Sequence, residues 1–361
     1  MDSTSTLFLT GATGQLGSFL LAELLGHGTL HRSSVTILCA KRPSSTFEQL
    51  HITAEFLGLP ADALTSDPHV HFLDMDLGDA LHCRDLLQEY CQNHHLSTPT
   101  SIIHAAASIN ISPSAKKAKL SNAALTNEML LLSELICAEH FTHISSIAVM
   151  GGSAPLGEEL LLEAEDFQPN RTKTSISDYA LSKMNSELAV WRAASEGQSI
   201  SIIRPGVILG VGPKHAAPQE LWKRIYTGGI PISTDGMTGV VDVRDVAEIA
   251  VTAHQQKSEG PNVAVAQNLE FDELLKSMAA ALGKKPSFRF LPREPWLERM
   301  RSVGFLAKLP YLGRFFSPQM RIMLYSRVRY NGNTGEELLK GRYRSAESTI
   351  EECGGYLVKH F

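Results

Sequence analysis

The sequence lacks the features of secreted, membrane-spanning and metal-binding proteins. It holds no run of about 18 apolar residues, so we expect no membrane span. Its first residues do not combine a basic stretch with an apolar run, so we expect no signal peptide. The five cysteines are an odd number without metal-ligand spacing, and His94–His95 has no Cys or acidic partner at such a spacing. We therefore predict a cytoplasmic protein with free thiols and no metal site.

An excess of charge of either sign is also missing. Lys and Arg number 33 and Asp and Glu number 38, which gives a formal net charge of −5 over 361 residues. Without a broad basic surface, binding of nucleic acid is not expected. The chain shows no internal repeat, and it is long enough to bury a large core in one domain or two.

Short β-branched segments alternate with amphipathic ones in the first part of the chain. After the first segment, for example, Phe19, Leu20, Leu24 and Leu25 have helical spacing. This alternation predicts βαβ units and a parallel sheet that helices cover on both faces. The predicted strands are Thr6–Thr10, Val35–Ala40, Val70–Leu73, Ser101–His104, His143–Ser146 and Ile200–Arg204.

Loops become frequent in the second part, where Val240–Ala247 predicts a strand edge that runs into a helix. We predict an α/β fold, a doubly wound parallel sheet of the Rossmann type, with a smaller C-terminal substrate domain. The nucleotide-binding domain comprises residues 1–208, and residues 240–262 return to it. Residues 209–239 and 263–361 form the substrate-binding region.

A glycine-rich segment lies between the first predicted strand and the first helix. Gly11 permits a tight turn, Gly14 lets the backbone approach a pyrophosphate, and Gly17 allows close packing of helix and strand. The phosphates would bind at the positive N-terminus of the helix. The dinucleotide contacts predicted here are Gly11, Thr13, Gly14, Gln15, Leu16 and Gly17.

The end of the second predicted strand indicates which dinucleotide binds. An NAD-binding protein usually places an acidic residue there, to accept from the ribose 2′-hydroxyl. This sequence has Lys41 and Arg42 instead, so we predict that Arg42 pairs with a 2′-phosphate, that Lys41 assists, and that the cofactor is NADPH. The alternative is that both are solvated loop charges. After the third strand, Asp76 and Leu77 are predicted to contact adenine.

Tyr179 and Lys183 lie one helical turn apart and therefore share a helix face. A tyrosine with a pKa of about 10 is a poor acid or base near neutrality, and a neighbouring cation favours its phenolate form. Ser146 ends the fifth predicted strand, where a hydroxyl can hydrogen-bond a substrate oxygen. Asn122 lies upstream at the start of a helix. A Tyr-x-x-x-Lys pattern is common by chance, so its position among the other motifs carries the argument.

The order of these motifs resembles that of the extended short-chain dehydrogenases/reductases. The resemblance runs from Leu7 to about Ala250 and includes, after the glycine-rich turn, Asn122, Ser146, Tyr179 and Lys183. Arg204-Pro205-Gly206 and Val241–Ala247 are similar to later motifs of that family. The resemblance implies further cofactor contacts at Ala105, Ala106, Ala107, Tyr179, Lys183, Pro205, Gly206 and Val207.

The same resemblance implies a role for each residue of the tetrad. Ser146 orients a carbonyl oxygen and Tyr179 donates a proton to it. Lys183 holds the cofactor ribose and lowers the pKa of Tyr179. Asn122 supports the proton path to solvent.

One branch of the family is more similar than the others. Ile102–Asn110, Thr142–Ser146 and Tyr179–Glu187 resemble segments of thioester reductase domains and fatty acyl-CoA reductases. This implies NADPH-dependent reduction of an acyl thioester, bound to a carrier or to coenzyme A, to an aldehyde or alcohol. The sequence departs from the branch at Asn122-Ala-Ala-Leu-Thr, where Asn-Val-x-Gly-Thr is usual, and at Ser146, where Thr is frequent.

Three other functions stay open on the sequence. The first is alcohol or ketone chemistry of the hydroxysteroid or dihydroflavonol type, and the second is epimerisation of a sugar nucleotide. The third is a non-catalytic NADP-binding sensor, which would need no proton donor such as Tyr179. Epimerases normally retain NAD, which the Lys41-Arg42 ending disfavours. His104 and His143 are expected to be structural.

Residues 296–330 combine cations with aromatic and apolar residues. The cations are Arg299, Arg301, Lys308, Arg314, Arg321, Arg327 and Arg329, against the single acid Glu298. The segment fits amphipathic helices of the substrate domain. It also fits a lid over a lipophilic substrate, with cations that meet an acidic carrier protein or coenzyme A. Contact with a membrane surface is the third alternative.

Overall fold

The computed structural model describes residues 5–28, 35–107, 122–151, 158–167, 178–212, 217–228, 232–286, 288–291 and 325–360. Its strands, in chain order, are β1 Ser5–Thr10, β2 Val35–Lys41, β3 Val70–Asp74, β4 Ser101–His104, β5 His140–Ile144, β6 Leu160–Leu162, β7 Ile200–Pro205, β8 Val207–Leu209, β9 Ile232–Ser233, β10 Met237–Asp242, β11 Gly260–Ala264, β12 Gln267–Glu270, β13 Arg289–Phe290 and β14 Val328–Tyr330. Its helices are α1 Gln15–Leu24, α2 Glu48–Phe56, α3 Ala80–His94, α4 Asn122–Leu135, α5 Asp178–Ser195, α6 Ala217–Tyr226, α7 Val243–Gln256, α8 Phe271–Ala281, α9 Asn333–Glu336 and α10 Ala346–Val358.

Seven strands form one parallel sheet in the order β11-β7-β5-β4-β1-β2-β3. The order reverses at β1, which pairs with β2 on one side and with β4 on the other. A crevice opens at the carboxyl ends of the strands at such a switch point, and ligands of doubly wound folds bind there. The predicted Rossmann arrangement is therefore confirmed.

Two apolar clusters bury the two faces of this sheet. On one face, Phe19 of α1, Leu50 of α2 and Val246 of α7 belong to a single buried cluster. On the other face, Leu87 of α3 and Val190 of α5 belong to a second one. Because helices cover both faces, the strands are apolar along most of their length rather than alternating.

The remaining strands form smaller sheets beside the large one. β12, β10 and β8 make a three-stranded sheet, and β13–β9 and β14–β6 are two-stranded. β10 ends at Asp242 and α7 begins at Val243, as the sequence predicts for Val240–Ala247. The side chain of Asp242 caps α7 by accepting from the N–H of Arg244. The proposed division into two regions stays a prediction.

The fifth strand differs from its prediction, which placed it at His143–Ser146. It runs from His140 to Ile144 and ends before Ser146. The start was missed because His140 is polar, yet it is buried with its ring hydrogen-bonded to Ser199 and Ser201. Burial of a paired polar side chain removes the apolar pattern on which strand prediction depends.

Two general features follow from the described part of the chain. None of the helices seen there is long and apolar enough to cross a membrane. Within the same residues, no group of three or more His, Cys, Asp or Glu is placed to hold a metal ion. The cysteines are free thiols, of which only Cys137 is exposed.

Candidate active site

The turn between β1 and α1 leaves no space for side chains. Gly11 has a φ of +79°, and a Cβ atom there would lie 2.7 Å from the backbone nitrogen of Ala106. A Cβ atom on Gly17 would lie 1.9 Å from the carbonyl oxygen of Gly11. No side chain of a described residue caps α1 after Gly14, so the N–H groups of its first turn stay available. This cradle fits the pyrophosphate of a dinucleotide.

The segment after β4 lies against this cradle. The N–H of Ala105 donates to the carbonyl oxygen of Thr10 at 3.3 Å, and that of Ala106 donates to the Thr10 hydroxyl at 3.2 Å. Ala105, Ala106 and Ala107 are half-buried. They therefore line the crevice at the switch point, beside the glycine turn. Ser108, Ile109 and Asn110 lie outside the described residues.

The end of β2 differs from what the sequence suggests. The parallel register places Asp74 of β3 opposite Lys41, and the two side chains form an ion pair with Nζ and Oδ1 2.5 Å apart. The Lys41 side chain is thereby engaged by Asp74, whereas the Arg42 side chain is exposed to solvent. An acidic residue absent from the β2 sequence thus reaches the site from the neighbouring strand. Beyond it, Asp76 accepts from the N–H of Gly78 at 3.1 Å, and Leu77 packs on the second apolar cluster.

The structure brings together Ser146, Tyr179 and Lys183. Ser146 follows β5, and its hydroxyl is hydrogen-bonded to that of Tyr179 on α5. The Nζ of Lys183 donates to the carbonyl oxygen of Ile144 at 2.9 Å. Ser146 and Lys183 are buried and Tyr179 is half-buried. Asn122 is the buried first residue of α4, which packs beside α5.

Burial governs the proton affinities of this group. It raises the pKa of Tyr179, and the hydrogen bond from Ser146 opposes that rise. Tyr179 is therefore neutral near pH 7 and carries its hydroxyl proton. That Lys183 lowers the pKa of Tyr179 stays a prediction. Burial lowers the pKa of Lys183 to about 8, and the carboxylate of Glu187 opposes that change.

A buried ion pair lies next to Lys183 and Ser145 and was missed as a site feature. Glu187 and Arg204 are both fully buried, and the Nε of Arg204 donates to each Glu187 oxygen at 3.2 Å. Glu187 also accepts from the Ser145 hydroxyl. Arg204 donates from Nη1 to the carbonyl oxygens of Ala164 at 2.7 Å and Asp166 at 3.1 Å. The signal in the sequence was the position of Glu187, one helical turn after Lys183 on the same face.

Two buried histidines, His104 and His143, lie within the electrostatic reach of Lys183. His104 is hydrogen-bonded to Thr10 at 2.8 Å and to Thr126 at 3.4 Å. Its ring stacks on that of His143, with centroids 5.7 Å apart. Burial lowers the pKa of His104 to about 3 and holds that of His143 well below its usual value. Both rings are therefore neutral, and neither acts as an acid near neutrality.

Residues 9–272 match the model of a family of NAD-binding domains, the male sterility protein family. The chain belongs to the male sterility protein family. It is an NAD(P)-dependent oxidoreductase of the extended short-chain dehydrogenase/reductase type, as its motifs predicted. The resemblance to thioester reductases is confirmed at the level of the family.

This male sterility protein family member matches parts of much longer enzymes. It is 27% identical over 314 residues to the nonribosomal peptide synthetase-like enzyme fsqF of Aspergillus fumigatus, which covers 82% of this chain and 20% of that enzyme. It is 24% identical over 282 residues to L-2-aminoadipate reductase of Saccharomyces cerevisiae, which covers 73% of this chain and 20% of the reductase. The chain thus spans about a fifth of the length of these two relatives.

A solved structure has the same fold over the whole chain. The terminal R domain of the myxalamid PKS-NRPS biosynthetic pathway aligns with a TM-score of 0.74 and 22% identity, over 100% of this chain and 92% of that domain. At this identity the likeness establishes the fold.

In this male sterility protein family member, the turn between β7 and β8 packs against β10 and β11. Pro205 ends β7, and Gly206 donates from its N–H to the carbonyl oxygen of Ala264. A Cβ atom on Gly206 would lie 2.5 Å from the carbonyl oxygen of Gly239, so only glycine fits there. Val207 begins β8 and is partly exposed.

Most of the basic C-terminal segment, residues 292–324, lies outside the described residues. Arg327, at its end, pairs with Glu159 at 2.7 Å and with Glu270 at 2.8 Å. Arg327 is thus paired with acids of its own chain, and the three alternatives for the segment stay predictions.

Proposed function

We propose that this protein is an NADPH-dependent reductase that transfers hydride to the carbonyl group of an acyl thioester. The observation that carries the proposal is the hydrogen bond between the hydroxyls of Ser146 and Tyr179, at the carboxyl edge of the sheet beside the glycine cradle. A neutral tyrosine there holds both the oxygen of a carbonyl and the proton that reduction must add to it.

Each step has a residue that serves it. A bound nicotinamide supplies hydride to the carbonyl carbon. Ser146 and Tyr179 hold the carbonyl oxygen, and Tyr179 transfers its proton to that oxygen. Lys183 holds the ribose, and its charge stabilises the tyrosinate that remains. Asn122 supports the return of a proton from solvent.

The product of the first hydride transfer is a hemithioacetal. When its carbon–sulfur bond breaks, the hydroxyl proton is lost, the sulfur leaves as a thiol and an aldehyde is released. A second hydride and a second proton convert the aldehyde to an alcohol. The relatives named for peptide synthesis and aminoadipate reduction support a thioester as the substrate. They also support a phosphopantetheine carrier or coenzyme A as its thiol.

The cofactor is proposed to be NADPH because Arg42 is the exposed cation at the end of β2. A guanidinium binds a 2′-phosphate with two parallel hydrogen bonds. The carbonyl carbon would lie in the crevice at the ends of β4 and β5, next to Ala106 and Ser146.

The test follows NADPH absorbance with purified protein and a panel of acyl-CoA and acyl-pantetheine thioesters, with the matching aldehydes and ketones. The Tyr179→Phe variant should lose at least about a hundredfold in kcat while it still binds NADPH. The matched control is Tyr90→Phe, because Tyr90 lies on α3 with its hydroxyl bonded to His71.

Each outcome separates the candidate functions. Thioester-dependent oxidation that Tyr179→Phe abolishes supports the proposal. Turnover with aldehydes or ketones alone would move the protein to the alcohol-dehydrogenase type. NADPH binding with no turnover of any carbonyl compound would favour the sensor.

A further inference from the structure

His143 is exceptional among the buried histidines of the described chain. Both of its ring nitrogens are buried and find no hydrogen-bond partner among the described residues. Three other buried histidines, His104, His140 and His254, have a partner at each nitrogen. In native proteins a buried polar group without a protein partner commonly marks an ordered water molecule.

The surroundings of His143 are held firmly in place. The parallel register of β4 and β5 sets His104 opposite His143, and the two rings stack at an interplanar angle of 26°. Hydrogen bonds from His104 to Thr10 and Thr126 fix the orientation of the first ring. The His143 ring therefore cannot turn far without breaking this stack.

Lys183 is the cation next to His143. Its Nζ donates to the carbonyl oxygen of Ile144, the residue that follows His143, and its charge acts on both stacked rings. An ammonium group has three N–H donors. One binds Ile144, and the proposed ribose contact takes a second. The third needs an acceptor, because burial leaves the ammonium little access to solvent.

We propose that His143 is a positioning residue that binds an ordered water molecule, and that this water accepts the third N–H of Lys183. A neutral imidazole has one nitrogen that accepts and one that donates. The water accepts from Lys183 and donates to the accepting nitrogen of His143. A hydrogen bond to the charged form of a group favours that form. The water and Glu187 therefore together keep the buried Lys183 protonated.

The groups that face this pair decide the sign of the pH effect. Lys183 on α5 and His104 on β4 act on His143, and both lower its pKa together with burial. From α4, Thr126 contributes a hydroxyl through His104. His143 is neutral throughout the pH range in which the protein is active. Replacing its side chain therefore changes only the protonation of Lys183. Without the water, Lys183 loses its proton at a lower pH.

The experiment compares His143→Leu with a matched control on the same strand, His140→Leu. His143→Leu removes no hydrogen bond to a described residue but does remove the support of the water for the charged Lys183, so the melting temperature below the pKa of Lys183 should fall only slightly. The alkaline limb of the pH–rate profile should move down by about one pH unit, as expected for loss of one hydrogen bond to a charged group. His140→Leu should lower the melting temperature more and leave the alkaline limb in place, because Ser199 and Ser201 lose their partner while Lys183 is unaffected.

A conservative variant and a crystal structure complete the test. His143→Gln keeps an acceptor and should restore the alkaline limb toward wild type. A crystal structure at high resolution should show water within hydrogen-bonding distance of both Lys183 Nζ and the His143 ring. The inference is overturned if the wild-type ring nitrogens contact only carbon atoms, or if His143→Leu leaves the alkaline limb unchanged.

The pH–rate experiment rests on the proposed reductase activity. Failure of that proposed function and failure of the proposed water site can be told apart. If no thioester is reduced, the pH–rate profile is measured with whichever aldehyde or ketone is turned over. If no carbonyl compound is turned over, the proposed function fails, and the crystal structure alone decides whether the water is present.

Discussion

Glu187 and Arg204 form an ion pair in which neither side chain is exposed to solvent. Glu187 follows Lys183 by one turn of α5 and accepts from Ser145, the neighbour of Ser146. Arg204 lies near the end of β7 and binds two carbonyl oxygens beyond β6. The pair therefore joins the helix, the strand and the loop around the residues proposed to be catalytic.

Replacing one member of this pair should be costly. Glu187→Gln leaves Arg204 as a buried charge without its counter-ion, so we expect the free energy of unfolding to fall by about 3–5 kcal/mol. Urea denaturation measures this. The double variant Glu187→Leu/Arg204→Leu should lose less, since Arg204 is no longer left as an unpaired charge and only Lys183 loses the carboxylate. Equal losses in the two variants would contradict the electrostatic explanation.

Cofactor preference should depend on the ion pair between Lys41 and Asp74. Asp74→Asn frees Lys41 and removes a negative charge near the expected 2′-phosphate, so affinity for NADPH should rise while affinity for NADH changes little. Arg42→Ala should weaken NADPH binding by about tenfold or more, the value of one charged hydrogen bond. Titration of cofactor fluorescence gives both dissociation constants. An Arg42→Ala protein with unchanged NADPH affinity would count against the assignment.

The glycine cradle should not tolerate a methyl group. Gly17→Ala places a Cβ atom 1.9 Å from the carbonyl oxygen of Gly11, so we expect loss of both NADPH binding and stability. The control is Gly355→Ala in α10, where a Cβ atom meets nothing within 4 Å. That variant should gain about 0.5–1 kcal/mol, because alanine favours a helix over glycine. Thermal unfolding with and without NADPH compares the two.

Stability and activity should both depend on Lys183 above neutral pH. Burial lowers its pKa to about 8, so between that pH and its usual value near 10.5 the unfolded chain binds more protons than the native one. The contribution of Lys183 to stability is therefore unfavourable below pH 8 and is relieved as the pH rises. Activity should instead decline above about pH 8, as the ammonium is lost. Lys183→Met should remove this pH dependence of the free energy of unfolding.

Local patterns in the sequence were sufficient to predict the architecture, which the structure confirms, and to name the residues proposed for the centre of the site. Strand–helix alternation predicted the doubly wound sheet, because both faces of a parallel sheet must be buried. The spacing of Gly11, Gly14 and Gly17 predicted the cradle, since only glycine permits such close approach. The turn that separates Tyr179 from Lys183 placed them on one helix face without any tertiary information.

Contacts between distant segments were decided only by the tertiary structure. Lys41 meets Asp74 because β2 and β3 pair in one register, and Glu187 meets Arg204 because α5 packs over β7. The raised pKa of Tyr179 comes from burial, which depends on the whole fold. Burial also leaves the ring of His143 without a hydrogen-bond partner among the described residues. Residue type and spacing are local properties of the chain, whereas burial and pairing across the sheet depend on which segments the fold brings into contact.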